Sequence, residues 1–352
     1  MTNCEWLLEN ASAPIRYNLA QDQSLVDELL SNDEVLAWMQ KLIVRVDAQD
    51  LSNIHGSHDY RYENIIKKSF ILGLNRDIPQ FDCLIRFFIN FLDEHIMKTY
   101  VDTLTFGKMY AFRDYETILV CYLAFMGYWN EPSVQYVVKK RLEILYNFTK
   151  QKRYDVCRSD IDFVGVPKEW RTHIIDPDLY NDGNIALPSI HDYILLAGAY
   201  QHLGKGEKGK AETIAEWLLD EKYSKVFPRF YYYAPLNPSY KAKAINSKVD
   251  LNSCNLFTCF ILSHFESVRS SVWFVDSMRT FEQYKTIDGR FVFPKTMISE
   301  QKDGDHMNVG ESKRNKRYAE ILSTYWMERI LTNISNKSWK RCVNKENGRY
   351  NG

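Results

Sequence analysis

The chain has 352 residues, with 45 Lys plus Arg balanced by 45 Asp plus Glu. A formal charge of zero argues against a nucleic-acid partner, which calls for a net basic face. Hydrophobic residues make up 45%, with only 15 Gly and 10 Pro, so the chain reads as globular with long, seldom broken elements.

In chain order, the N-terminus MTNCEWLLEN has no basic n-region and places Glu5 where a signal peptide is apolar. The most apolar stretch, around Thr117–Trp129, is about a dozen residues and too short to cross a bilayer. The seven cysteines (Cys4, Cys83, Cys121, Cys157, Cys254, Cys259 and Cys342) are odd in number and form no C-x-x-C pair. No disulfide framework or zinc knuckle is expected, and a reducing compartment fits. The expectation is a cytoplasmic protein without membrane insertion.

Apolar residues recur at spacings of three and four, not two. Tyr62, Ile65, Ile66, Ser69 and Phe70 trace one helical stripe, and Leu84, Phe87, Phe88, Phe91, Leu92 and Ile96 a second, widened by Ile85 and Ile89. Val134, Val137, Val138, Leu142, Leu145 and Phe148 form a third. Ala211, Ile214, Ala215, Leu218 and Leu219 form a fourth, and Leu256, Phe257, Phe260, Ile261 and Phe265 a fifth. Tyr318, Ile321, Leu322 and Tyr325 form a sixth. Short strands are expected at most around Arg229–Tyr233 and Arg290–Phe293.

A faint repeat runs through FILGLNRDIPQFDCLIRFFINFL, YLAFMGYWNEPSVQYVVKKRLEIL and YQHLGKGEKGKAETIAEWLLDEKY. Each unit reads as a helix ending in an apolar-Gly step, a short turn and a second amphipathic helix. Gly73, Gly127 and Gly204 are expected as helix C-caps, and Pro79 and Pro132 as helix starts. Dividing the length by about 55–60 residues per hairpin gives about six hairpins. Their irregular spacing favours a closed double ring over an open solenoid. The predicted fold is therefore all-α, an α/α-toroid over residues 1–334, with an inserted loop at about 152–187 and a polar basic tail at 335–352.

Four segments carry a family resemblance. They are EWLLENASAPIRYNLAQD (Glu5–Asp22), PKEWRTHIIDPDLYNDGNIALPSIHDY, the D-G turn QYKTIDGRF (Gln283–Phe291) and GESKRNKRYAEILSTYWMERIL (Gly310–Leu331). Together they resemble uncharacterised bacterial proteins of the terpenoid cyclase and protein prenyltransferase-like superfamily, over about residues 5–333. The resemblance implies an α/α-toroid with a central cavity. It does not bring a full catalytic set. The cyclase acid motif D-x-D-D is reduced to Asp160-Ile161-Asp162, no D-D-x-x-D run occurs, and the flanks of Asp155-Val156-Cys157 do not match the prenyltransferase zinc motif.

Several residue groups can carry chemistry. His191 and Asp192 follow Leu187-Pro188-Ser189 at a helix start, where a histidine beside a carboxylate can act as acid or base. The alternative is that Asp192 answers the helix dipole while His191 packs. Asp160 and Asp162 can form a second carboxylate pair or merely cap and solvate a loop. Arg16 with Tyr17 and Arg113 are anchors for an anionic group, and His58, Trp273, Arg290, Tyr325 and Trp326 complete the expected substrate-binding set. His55, His58 and Asp59 can ligate a metal only with a further, remote ligand, and read more plainly as a polar loop in which Asp59 caps a helix; Asp303, Asp305 and His306 raise the same idea more weakly. Lys313, Arg314, Lys316 and Arg317 read as an exposed basic lead into the last helix.

The expected partner is a small molecule in the central cavity, with no metal and no cofactor. Three functions are open: acid–base chemistry on an apolar or ring-shaped molecule, non-catalytic binding of a ligand or protein, and a lyase or glycoside hydrolase of the same ring architecture.

Overall fold

A computed structural model describes residues 1–55, 58–96, 112–156, 176, 179, 186–222, 230–232, 241–243, 253–298 and 307–335. It is mainly helical. Its only described strands are β1 (Phe230–Tyr232) and β2 (Lys241–Lys243), an antiparallel pair. An isolated bridge joins Lys285 to Phe291. The strands expected around Arg229–Tyr233 and Arg290–Phe293 thus shrink to these two small features. No helix among the described residues is long and apolar enough to cross a membrane.

Two compact units emerge, and the boundary falls inside one helix. The first comprises Met1–Ile85 with Val249–Gly352, the second Arg86–Lys248.

In the first unit, α1 (Asn3–Asn10) starts with a capping box. Thr2 accepts from the Glu5 backbone, and the Glu5 carboxylate accepts from Thr2 N–H. Helices α2 (Ala13–Ala20), α3 (Val26–Leu30) and α4 (Asp33–Asp47) follow. Next comes α5 (Tyr62–Ile71), whose predicted stripe Tyr62, Ile65, Ile66, Ser69 and Phe70 is buried. Gly73 closes α5 as expected, at φ +86°, with the Leu74 N–H bonded to Ser69 O and Gly73 N–H to Phe70 O. Helix α6 (Pro79–Ile96) begins at its proline and carries the boundary between the units.

The second unit holds α7 (Phe112–Val120), α8 (Pro132–Thr149), α9 (Ile190–Ala199) and α10 (Lys205–Leu219). Helix α8 packs on α7, α9 and α10 through its buried stripe of Val134, Val137, Val138, Leu142, Leu145 and Phe148. Tyr193 Oη donates to Ile214 O at 3.2 Å, tying α9 to α10. Gly127 caps its segment at φ +89°. Gly204 departs from the expectation. Its φ is −67°, and it is the N-cap of α10, its N–H bonded to the Glu207 carboxylate at 2.9 Å. Glu207, three residues on, supplies the capping partner, so the glycine opens a helix instead of closing one.

The first unit resumes with α11 (Ser253–Leu262), α12 (Glu266–Arg269), α13 (Val272–Glu282), α14 (Lys295–Ile298) and α15 (Tyr318–Ser335). Here the last helix meets the first: α15 packs on α1, α11 and α14. The Gln283–Phe291 segment forms a tight hairpin. Gly289 N–H bonds to Thr286 O at 2.9 Å, Thr286 N–H to Arg290 O at 2.7 Å, and Gly289 sits at φ +83°. This hairpin lies on both terminal helices. Gly289 O accepts from Asn3, Phe291 N–H bonds to Thr324 Oγ1, and Phe293 N–H to Ser323 Oγ.

A buried ionic network fastens the loop before α15. Lys68, fully buried on α5, pairs with Glu34 of α4 at 2.6 Å and donates to Asn308 O at 2.6 Å. Asn308 in turn donates to the other Glu34 oxygen at 2.9 Å. Glu311 accepts from Ser12 N–H at 2.8 Å and Asn315 Nδ2 at 2.8 Å. Full hydrogen bonding is what makes burial of these charges tolerable.

Candidate functional site

Arg329 lies on α15, one turn after Tyr325. Its Nη1 donates to the Tyr325 hydroxyl oxygen at 2.7 Å and to Asn18 Oδ1 at 3.3 Å. The guanidinium carbon stands 4.9 Å from the Phe260 ring centre, 5.7 Å from Tyr325 and 5.9 Å from Phe70. Rings from α5, α11 and α15 thus frame one cation, and such contacts favour a guanidinium where water is partly excluded.

Asn18 is itself held. Its Nδ2 donates to Pro14 O at 3.0 Å and Ile71 O at 3.1 Å, which aims Oδ1 at Arg329. Gly73 makes room for it: a Cβ there would stand 2.7 Å from Asn18 Nδ2.

Both hydrogen-bond partners of Arg329 are neutral. Among the described residues no carboxylate pairs with it, and Nε and Nη2 have no hydrogen-bond partner. Arg329 as a whole is partly exposed. The Nε–Nη2 edge is the bidentate edge by which arginine grips a planar anion.

Beside it stands His264, stacked edge-on against Phe260 with ring centres 5.3 Å apart. Its Nδ1 is 3.0 Å from Ile261 O and 3.1 Å from Phe260 O. Burial pushes its pKa down to about 4, with Arg329 and Arg269 adding to the effect. The imidazole is therefore neutral near pH 7. Asn333 bridges onward, donating to Ser263 Oγ at 2.8 Å, while its carbonyl accepts from Arg269 at 2.6 Å. An open recess of about 450 Å³ lies past Arg269, floored by Phe274, Val275, Met278 and Ile334 with Arg279 and Glu282 at its side.

No family model, curated protein or solved structure matches this chain.

The structure distributes the sequence-predicted residues widely. Tyr325 enters the Arg329 site directly, and Trp326 beside it is buried with Nε1 donating to Met307 O at 2.9 Å. Tyr17 is buried with its hydroxyl near Asn75, and burial raises its pKa. Arg16 pairs with Glu28, and Arg290 binds Glu320 and Asp288, each at 2.5 Å. Those two guanidinia are neutralised within the chain. His58 stacks on Tyr60 at 5.4 Å, and His55 pairs with Glu63 at 2.8 Å. Trp273 packs against Phe274, and its Nε1 is buried without a partner.

In the second unit, Asp192 is 1% exposed. Its two oxygens accept from Arg141 Nε at 2.7 Å and Nη2 at 3.0 Å. Oδ2 also accepts from Ser189 N–H at 2.9 Å and Ser189 Oγ at 3.0 Å. Asp192 is thus a helix-capping carboxylate and half of a buried bidentate ion pair. His191 sits in the same first turn, partly exposed. Asp160 and Asp162 lie outside the described residues, as does the side chain of Arg113, which belongs to α7.

Arg329, Asn18 and His264 were not singled out in the sequence, and Phe260 was read only as part of a helical stripe. One signal was available: Arg329 is four residues after Tyr325, a basic residue continuing an apolar stripe. Nothing local marks Asn18, which reaches the site from 311 positions away.

Proposed function

We propose that the chain is an α/α-toroid that binds a small molecule with an apolar or aromatic body and an anionic group, the anion resting on Arg329. The ring reading is supported by the meeting of the first and last described helices. Helix α1 packs on α15, and the hairpin at Thr286–Arg290 lies across both. An open stack of helical hairpins keeps its ends apart.

The functional reading is carried by the unpartnered Nε–Nη2 edge of Arg329 amid three aromatic rings. A half-buried charge that finds no counter-ion among the described residues is a site prepared for one. Binding is preferred over acid–base chemistry by His191 and Asp192 because both Asp192 oxygens are already taken by Arg141 and Ser189.

Native mass spectrometry of the purified protein tests the reading. Wild-type protein should retain a small anion that Arg329→Gln loses, with both proteins folded by circular dichroism. Equal retention by both would refute it.

A further inference from the structure

We propose that two copies of this chain dock through the outer face of α13, each placing Ile287 in the apolar recess of the other. Ile287 sits where a polar residue belongs. The Thr286–Gly289 turn is closed by the Gly289 N–H to Thr286 O bond at 2.9 Å, and tight turns favour Gly, Pro, Asn, Asp and Ser. Asp288 and Gly289 conform to that rule. Ile287 does not, and its side chain is fully exposed, so the chain's own recess is not where it goes. An apolar side chain held out at a hairpin tip gains by finding an apolar hollow.

Such a hollow lies on the helix just before the hairpin. Val275, Met278, Arg279 and Glu282 recur at spacings of three and four, so they share one face of α13. Phe274 and Ile334 complete an open recess of about 450 Å³. Val272, one turn earlier on α13, is 78% exposed, and Ile334 is 37% exposed. The apolar surface therefore extends past the recess onto the outside of the helix.

Charge selects a second copy as the occupant. Acid and base alternate along this stretch as Asp276, Arg279, Glu282 and Lys285. Asp276 pairs with Arg279 at 3.1 Å and Glu282 with Lys285 at 3.2 Å, each within the chain. Exposed pairs of this kind add little stability and exchange readily. A partner of one charge sign would be repelled by half of the rim. A copy turned antiparallel is matched throughout. With position 279 opposite position 282, Arg279 faces the other copy's Glu282, and Asp276 faces its Lys285. Each contact occurs twice, as a two-fold pair requires. The same register, carried past the helix end into the hairpin, brings Ile287 opposite Phe274 in the recess.

Sedimentation equilibrium of the full chain tests the pairing. The wild-type mass should rise with concentration from that of one chain towards that of two. Ile287→Asp should weaken association at least about tenfold, which corresponds to about 1.4 kcal/mol, with an unchanged circular dichroism spectrum because the side chain is fully exposed. Arg279→Glu and Glu282→Arg should each weaken it, and the double variant Arg279→Glu/Glu282→Arg should recover it, since the exchanged charges meet again across the two-fold. A chain that stays monomeric at every concentration overturns the proposal. So does association that Ile287→Asp leaves unchanged. A monomeric chain whose Met278 resists peroxide would put a segment of the same chain in the recess, again against the proposal. Loss in both single charge variants without recovery in the double overturns the antiparallel register.

Discussion

Asn3, at the start of the first helix, donates to the Glu328 carboxylate on the last helix at 2.9 Å, and to Gly289 O at 3.1 Å. One side chain near the N-terminus therefore bridges the final helix and the hairpin that precedes it. Replacing Asn3 by Ala removes two donors from a partly buried junction. Each lost bond is worth about 1 kcal/mol, so the expected cost is about 1–2 kcal/mol. Urea unfolding should show a lower midpoint with an unchanged slope. An unchanged midpoint would mean that this junction contributes nothing to closing the unit.

The Arg141–Asp192 pair makes a sharper claim about stability. Asp192→Ala removes the carboxylate that pairs with the buried Arg141 guanidinium and strips Ser189 of its capping partner. Breaking one side of such a pair costs about 3–5 kcal/mol. Chemical denaturation of Asp192→Ala should show a loss of that order, and Asp192→Asn, which keeps the shape and some acceptors, a smaller one. A destabilisation below about 1 kcal/mol would contradict the structural role and return Asp192 to consideration as a reacting group.

Gly73 and Gly289 offer a matched comparison. Both adopt positive φ, +86° and +83°. A Cβ at Gly289 meets nothing within 4 Å, whereas one at Gly73 would collide with Asn18. Gly289→Ala should cost only the backbone strain, about 1–2 kcal/mol. Gly73→Ala should cost more and should also weaken anion retention at Arg329, because Asn18 can no longer aim at Arg329. Equal effects of the two substitutions on binding would remove Asn18 from the account.

Acid sensitivity follows from His264. Its folded pKa is about 4 against an ordinary 6.5. Between these values the unfolded chain binds the proton and the folded chain does not, so stability falls as pH drops from about 6.5 and levels off below about 4. The upper bound for the loss is about 3 kcal/mol. His264→Gln should flatten this part of the stability profile measured by urea unfolding between pH 4 and 7. A profile equally steep in the variant would place the acid sensitivity elsewhere.

Helical periodicity made much of the fold legible. The stripes on α5 and α8 are buried almost residue for residue, because a packed helix shows its core face as a spacing of three and four. On α6 the buried line is Ile85, Phe88, Ile89 and Leu92, with Leu84, Phe87 and Phe91 at its margin. Gly204 misled because an apolar-Gly step looks alike before and after a helix boundary; only Glu207 three residues later distinguishes them. The site was far less legible. Tyr325 was readable as an aromatic on the last helix, but Asn18, Phe70 and Phe260, the other partners of Arg329, are distant from it in sequence and meet it only through packing. Arg16 looked like an anchor for an outside anion and Arg290 like a substrate contact, and the chain itself supplies Glu28 and Glu320 to them. A charge read from sequence carries no mark of whether its counter-ion is internal.

The central claim is that the Nε–Nη2 edge of Arg329 receives an anion. Nuclear magnetic resonance of the arginine Nε–H groups addresses it directly, with the Arg329 signal assigned by its disappearance in Arg329→Lys. On titration with acetate or inorganic phosphate as the anion, the Arg329 signal should shift saturably while that of Arg279 stays in place. An Arg329 signal that moves with neither anion would contradict the account.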